Sequence, residues 1–234
     1  MGVIMEAKNL RKEFGETQNK VVALSDVSFS INEGELVIIV GPSGAGKSTL
    51  LNLIGGMDAP TSGSLFVNGK DVAKYSSHER TNYRRNEVGF VFQFYNLMPN
   101  LTAKENLELA AELKKDALNL EETLIKVGLK DRMNNFPSQL SGGEQQRVSI
   151  ARAIAKNPKI ILCDEPTGAL DYETGKEILS LLSDAARKEK KTVIIVTHNS
   201  ALKDMGDHLI KIKNGKIVLD EHNSHPKNIK EIEW

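Results

Sequence analysis

The stretch Glu35-Leu36-Val37-Ile38-Ile39-Val40-Gly41-Pro42-Ser43-Gly44-Ala45-Gly46-Lys47-Ser48-Thr49 decides the fold. Its β-branched opening suits a strand buried on both faces of a parallel sheet. The run continues without a break into the pattern G-x-x-x-x-G-K-S/T, and Lys47 to Gly55 carries helical apolar spacing. Strand, glycine turn and helix in that order are the context in which this pattern holds phosphate. Gly41, Gly44 and Gly46 free the backbone to wrap an anion, with Pro42, Ser43 and Ala45 completing a loop whose N–H groups turn inward. The helix that follows adds the positive end of its dipole. Lys47 is expected to reach the β- and γ-phosphates of a nucleotide, Ser48 to ligate Mg²⁺, and Thr49 to bond an α-phosphate oxygen.

A second apolar strand, Ile160-Ile161-Leu162-Cys163, ends in Asp164-Glu165. Strand ends in such sheets face the ligand crevice. Asp164 is expected to hold the metal and Glu165 to polarise an attacking water. Two acids beside a γ-phosphate are costly unless a metal and a lysine neutralise them, which ties this pair to Lys47 and Ser48. His198 follows a third apolar strand, Thr192 to Thr197, and is expected to sense the γ-phosphate. His78, His208, His222 and His225 show no ligand-like spacing and read as surface residues.

Working outward, Val21 to Ile31 alternates as a half-buried strand does, and Ser64 to Val67 and Val88 to Gln93 read as further strands. Ala103 to Lys115 and Leu120 to Val127 carry helical spacing with few strand signals between them. They predict a helical insertion over about 94–140. Gly143 to Lys156 reads as a helix capped by Ser141, and Tyr172 to Lys188 as another. His208 to Lys213 and Lys216 to Leu219 read as a hairpin turning at Asn214-Gly215. Alternating strands and helices predict an α/β fold, a doubly wound, mainly parallel sheet. The division expected is a nucleotide-binding core over 1–93 and 141–220, the helical subdomain over 94–140, and a polar tail over 221–234, docked or frayed.

Composition narrows the function. The 234 residues carry 31 Lys plus Arg and 31 Asp plus Glu, a formal net charge of zero. That balance disfavours nucleic-acid binding driven by bulk charge. No apolar run approaches the roughly 20 residues that cross a bilayer, and Met-Gly-Val-Ile-Met-Glu lacks the basic start and apolar core of a signal peptide. A single cysteine, Cys163, excludes an intramolecular disulfide. It reads as inert strand packing, with oxidation or alkylation beside Asp164 as the alternative. The expectation is a cytoplasmic protein that serves a membrane only through a partner. Arg80, Arg84 and Arg85 read as a solvated basic face.

Leu140-Ser141-Gly142-Gly143-Glu144-Gln145-Gln146-Arg147 opens a helix with a serine and two glycines, a second anion site without a lysine. It resembles the signature motif of ATP-binding cassette proteins, and the resemblance covers nearly the whole chain. It implies a P-loop ATPase core with an N-terminal antiparallel β-subdomain and a helical insertion subdomain. It also implies a head-to-tail homodimer around two ATP, in which the Gly41 to Thr49 loop of one subunit and the Ser141, Gly142 and Gly143 helix end of the other enclose one nucleotide. Phe14 matches the aromatic that stacks on adenine. Gln93 matches the glutamine that touches the metal and attacking water. Pro166-Thr167-Gly168-Ala169-Leu170-Asp171 matches the loop across the dimer seam, and His198 the switch histidine.

Val88 to Pro99, Leu101 to Asn106 and Asp164 to Asp171 together resemble the branch of lipoprotein-releasing, macrolide-exporting and cell-division cassettes. Between Asn106 and Leu140 this chain is several residues shorter than usual for that branch. The branch implies an integral membrane permease with few spans and an extracytoplasmic domain, of the macrolide-export or cell-division type. Phe94, Tyr95, Leu97, Met98 and Pro99, beside Gln93, read either as subdomain core or as a groove for a permease helix. Two alternatives remain at this level. One is force transmission to an extracytoplasmic enzyme or sensor; the other is a cassette acting on DNA or ribosomes. The absence of heptads between the two motifs and the single-domain length oppose the latter.

Overall fold

The computed structural model describes residues 2–16, 19–112 and 114–233. In chain order the strands are β1 (Val3–Phe14), β2 (Val21–Asn32), β3 (Leu36–Val40), β4 (Ser62–Val67), β5 (Lys70–Asp71), β6 (Val88–Val91), β7 (Ile160–Asp164), β8 (Thr192–Thr197), β9 (His208–Lys213) and β10 (Lys216–His222). The helices are α1 (Lys47–Ile54), α2 (Ser77–Asn86), α3 (Ala103–Ala111), α4 (Leu120–Lys126), α5 (Gly142–Ala155) and α6 (Tyr172–Arg187).

The strands divide into two sheets. An antiparallel sheet runs β2-β1-β4-β5, and a six-stranded sheet runs β10-β9-β3-β8-β7-β6. The second is parallel from β9 to β6, with β10 added antiparallel at its edge. β3 shows why a continuous apolar run belongs at its centre. Val37 and Ile39 enter the core shared with the antiparallel sheet and α1, while Leu36, Ile38 and Val40 enter the core shared with α5 and α6. A parallel strand with both faces covered has no polar side to alternate with. α5 is likewise buried on two sides. Ile150 and Ile154 face the sheet, while Val148, Ala151 and Ala155 face a third core built with Leu107 of α3 and Leu124 of α4.

Local chemistry sets the boundaries. α2, α3 and α5 each begin with a capping box, Ser76 with Glu79, Thr102 with Glu105 and Ser141 with Glu144, satisfying two otherwise orphaned N–H groups at each start. The β9–β10 turn has Asn214 at φ 50° and Gly215 at φ 72°, the paired left-handed residues of a tight hairpin.

Four expectations are corrected and one is upheld. α2 was not anticipated, because Ser77 to Asn86 has one buried anchor, Tyr83, whose hydroxyl donates to the Ile54 carbonyl at 2.9 Å. Arg80 and Arg84 are not a solvated face: their guanidinium groups donate to the carbonyls of Tyr75 (2.8 Å) and Gly56 (2.5 Å). His208 is fully buried rather than on the surface. Cys163 is inert strand packing, as expected: it is fully buried, and burial pushes its thiol pKa far up, which removes the thiolate that the alternative, oxidation or alkylation, requires. The hairpin strand extends to His222, and the tail beyond it is docked. Lys227 pairs with Asp204 at 2.9 Å, and Ile229 and Ile232 bury in the core beside α6.

Candidate functional site

The phosphate loop starts where β3 ends. Gly41 admits no side chain, since a Cβ there would lie 2.3 Å from the Ile212 carbonyl oxygen. Gly46, at φ 102°, lies against β2, and a Cβ would come within 2.5 Å of the Ala23 carbonyl. The loop is thus clamped between β9 and β2, in a backbone shape only glycine takes without strain. Lys47 is 7% exposed, and its ammonium donates to the carbonyls of Gly41 (2.8 Å) and Pro42 (3.1 Å). It spans the loop mouth, where it can exchange carbonyl partners for phosphate oxygens.

The sheet brings the acids to this loop. Ser48 Oγ donates to Asp164 Oδ1 at 3.2 Å, joining positions 116 residues apart. Burial holds the Asp164 carboxyl above its ordinary pKa, opposed by the Ser48 hydrogen bond and reinforced by the neighbouring Glu165 charge. A desolvated, under-compensated carboxylate beside a serine hydroxyl and a lysine is a donor set that fits a hard divalent cation. Glu165 takes φ 47°, a left-handed turn that swings its side chain back over the end of β8. There Oε2 accepts from Thr197 Oγ1 (3.1 Å), and Oε1 accepts from the His198 backbone N–H (2.8 Å) and Nδ1 (2.9 Å). A carboxylate only accepts, so Nδ1 of His198 carries the hydrogen in this contact. The Gln93 amide flanks the next turn: a Cβ on Gly168 would sit 3.1 Å from Gln93 Nε2 and 3.4 Å from the Glu165 carbonyl oxygen. Lys47, Ser48, Gln93, Asp164, Glu165 and His198 are therefore gathered at one end of the six-stranded sheet. Thr197 belongs with them and was missed. Its signal is its position, the last strand residue before His198.

Other expected residues lie elsewhere. Ser141 caps α5 through Glu144, which accepts from the Ser141 N–H at 2.8 Å. That bond holds the Glu144 carboxyl below its usual pKa, with Arg132 adding to the effect. Gly143 packs tightly against α6, where a Cβ would lie 2.4 Å from Thr174 Cγ2, whereas a Cβ on Gly142 would meet only the movable Tyr95 hydroxyl at 2.9 Å. Asp171 caps α6 by accepting from the Thr174 N–H at 3.0 Å, which lowers its pKa. Among the described residues no hydrogen bond links Ser141, Gly142, Gly143 or Asp171 to the Gly41 to Thr49 loop. Phe14 is 45% exposed at the end of β1, with the Lys12 ammonium 4.9 Å from its ring centre. The Phe94 to Pro99 cluster divides: Leu97 packs into the helical core, whereas Phe94 is 75% exposed and Met98 also faces solvent.

A phosphate loop, a strand-end acid pair and a strand-end histidine on a mainly parallel sheet define a P-loop ATPase. Comparison with known proteins places it further. The ABC transporter family model matches residues 24–168, and the chain belongs to that family. An ABC transporter ATP-binding protein of Mycoplasma pneumoniae is 44% identical over 236 residues, covering 99% of this chain and 50% of that protein. The macrolide export ATP-binding/permease protein MacB of Bartonella quintana is 42% identical over 224 residues, covering 93% of this chain and 34% of that protein. The chain thus spans half or less of these relatives. A solved dimeric post-hydrolysis state of the ATP-binding cassette MJ0796, bound to ADP and Pi, superposes with a TM-score of 0.85 at 42% identity. It covers 93% of this chain and 98% of that one.

Proposed function

We propose that this chain binds and hydrolyses ATP as a homodimer and drives a membrane permease. The observation that carries the reading is the Ser48–Asp164 contact at 3.2 Å, which unites the phosphate loop with the acidic strand end. In this reading Gly41 to Thr49 wrap the phosphates of ATP and Phe14 stacks on the adenine. Ser48, Asp164 and Gln93 hold Mg²⁺, which supplies charge neutralisation for the β- and γ-phosphates. Glu165, oriented by Thr197 and His198, accepts hydrogen bonding from the attacking water and aligns it with the γ-phosphorus. Lys47 stabilises charge on the γ-phosphate oxygens, and His198 Nε2 meets that phosphate.

Ser141, Gly142, Gly143 and Asp171 serve the nucleotide of the partner subunit. That they make no hydrogen bond to the phosphate loop among the described residues, together with the dimeric state of the MJ0796 cassette, supports that arrangement. Closure on ATP and opening after hydrolysis would be the mechanical cycle.

The permease is proposed to be a few-span protein with an extracytoplasmic domain, like those of macrolide-export or cell-division systems, with this chain on the cytoplasmic face of the membrane. Likeness to a joint ATP-binding/permease protein and the exposed Phe94 and Met98 beside Gln93 support a partner helix seated there. No helix among the described residues is long and apolar enough to cross a membrane.

Glu165→Gln is the test of the site. It should retain ATP binding, abolish turnover and accumulate an ATP-bound dimer in light scattering. A variant that stays monomeric and fully active overturns the role given to Glu165. Capture of the chain from detergent-solubilised membranes with ATP should bring down a stoichiometric few-span protein; soluble or nucleic-acid partners alone would refute the permease assignment.

A further inference from the structure

At the opposite end of β3 from the phosphate loop, about 17 Å away at the usual strand rise, four ionisable side chains meet. Glu35 precedes β3, His208 opens β9 opposite Val37, and His222 closes β10 opposite His208. The two imidazoles stack with centroids 4.1 Å apart and planes 26° apart. His208 is fully buried, and its Nε2 lies 2.5 Å from Asp220 Oδ1. Its Nδ1 is buried without a hydrogen-bond partner and faces Glu35 Oε2 at 3.6 Å. His222 Nδ1 lies 3.4 Å from Glu35 Oε1. The Glu35 carboxylate is fixed by the Asn32 N–H on Oε2 (2.9 Å) and Asn32 Nδ2 on Oε1 (2.7 Å).

We propose that Glu35, His208 and His222 bind a single divalent cation of the Zn²⁺ class, with Asp220 positioning His208. A buried imidazole nitrogen left unpaired costs stability, and at 3.6 Å a proton on it would make no hydrogen bond to Glu35. With Nε2–H donated to Asp220, Nδ1 is a lone pair directed at a carboxylate. Two acceptors facing each other call for a cation between them. Metal–ligand bonds near 2.0–2.2 Å in a tetrahedral shell put ligand atoms about 3.3 Å apart; the His208 and His222 Nδ1 atoms lie 3.6 and 3.4 Å from the two different oxygens of one carboxylate, so a small shift of the Glu35 side chain would complete the shell. One ligand atom from each of the three residues falls within 4.8 Å of the others. A carboxylate on the far nitrogen of a ligating histidine fixes the tautomer and raises its basicity. Two imidazoles and one carboxylate select a borderline ion over Mg²⁺ or Ca²⁺, and the exposed His222 edge leaves the fourth position to water. The cation would tie β3 to the closing strand of the sheet and to the docked tail that follows His222.

The test uses the full chain, treated with chelator, without nucleotide or Mg²⁺, titrated with Zn²⁺ by calorimetry and with Co²⁺ by visible absorption. Wild type should bind one equivalent, with the d–d bands of a tetrahedral ion and a raised thermal midpoint. His222→Ala, at a ring whose side chain is 56% exposed, should keep a cooperative thermal melt and lose at least tenfold in affinity. Asp220→Asn should lose roughly 10- to 100-fold. Nitrogen-15 spectra of the imidazoles should keep His208 Nε2–H and shift Nδ1 on loading. Substoichiometric binding, equal affinity in His222→Ala, or a His208 Nδ1 signal unchanged by Zn²⁺ would overturn the site.

Discussion

Thr197→Val asks whether the orientation of Glu165 limits turnover. Thr197 is 2% exposed, so valine replaces it at nearly equal volume and the change is confined to the hydroxyl. That hydroxyl donates to Glu165 Oε2 at 3.1 Å and accepts from the Asn199 N–H at 3.0 Å. The first bond is to a charged group and is worth about 1.5–3 kcal/mol. The carboxylate keeps both His198 donors, but they act on Oε1 only, so Oε2 is freed to rotate. If the full bond energy is used to hold Glu165 in its productive orientation, kcat falls by roughly 10- to 100-fold. ATP affinity should be unchanged, because no phosphate-loop residue is touched. The Asn199 N–H loses its acceptor, costing about 1 kcal/mol of global stability. Steady-state phosphate release measures kcat and KM, a fluorescent nucleotide measures binding, and urea melts measure stability. Thr197→Ser, which keeps the hydroxyl, should restore kcat. A Thr197→Val kcat within twofold of wild type, or an equal loss in Thr197→Ser, would refute the argument.

Gly143→Ala should destabilise the α5–α6 contact by about 1–3 kcal/mol, because the new methyl would lie 2.4 Å from Thr174 Cγ2. Adding Thr174→Ser removes that methyl and should recover most of the loss in thermal melts. Lys156 bears on pH. Burial, reinforced by Lys114, Arg152 and Arg84, lowers its pKa from 10.5 to about 8. Between those values the unfolded chain holds more protons than the folded one, so this group makes stability rise with pH from about 8 to 10.5. Denaturant titrations should show that rise reduced in Lys156→Met; an unchanged slope would place the lysine in a better solvated setting.

The sequence alone determined what is local. A phosphate loop is written in adjacent residues because one anion must be met by consecutive N–H groups, so Gly41 to Thr49 and the strand and helix around them were legible. So were the doubly buried β3, β7 and β8, whose lack of alternation follows from two covered faces, and α5, whose start is written in Ser141 and Glu144. α2 shows the limit, since a polar helix held by Tyr83, Arg80 and Arg84 on three backbone carbonyls has almost no apolar period to read. Tertiary structure decided what depends on packing between distant segments. Ser48 meets Asp164 only because β3 and β7 lie either side of β8 in one sheet. Thr197 became an orienting residue through the left-handed turn at Glu165. His208, ordinary in sequence, is buried between Glu35 and Asp220 because β9 enters the sheet beside β3. The close approach of Gly143 to Thr174 is likewise a product of the folded arrangement, since it depends on how α5 seats against α6.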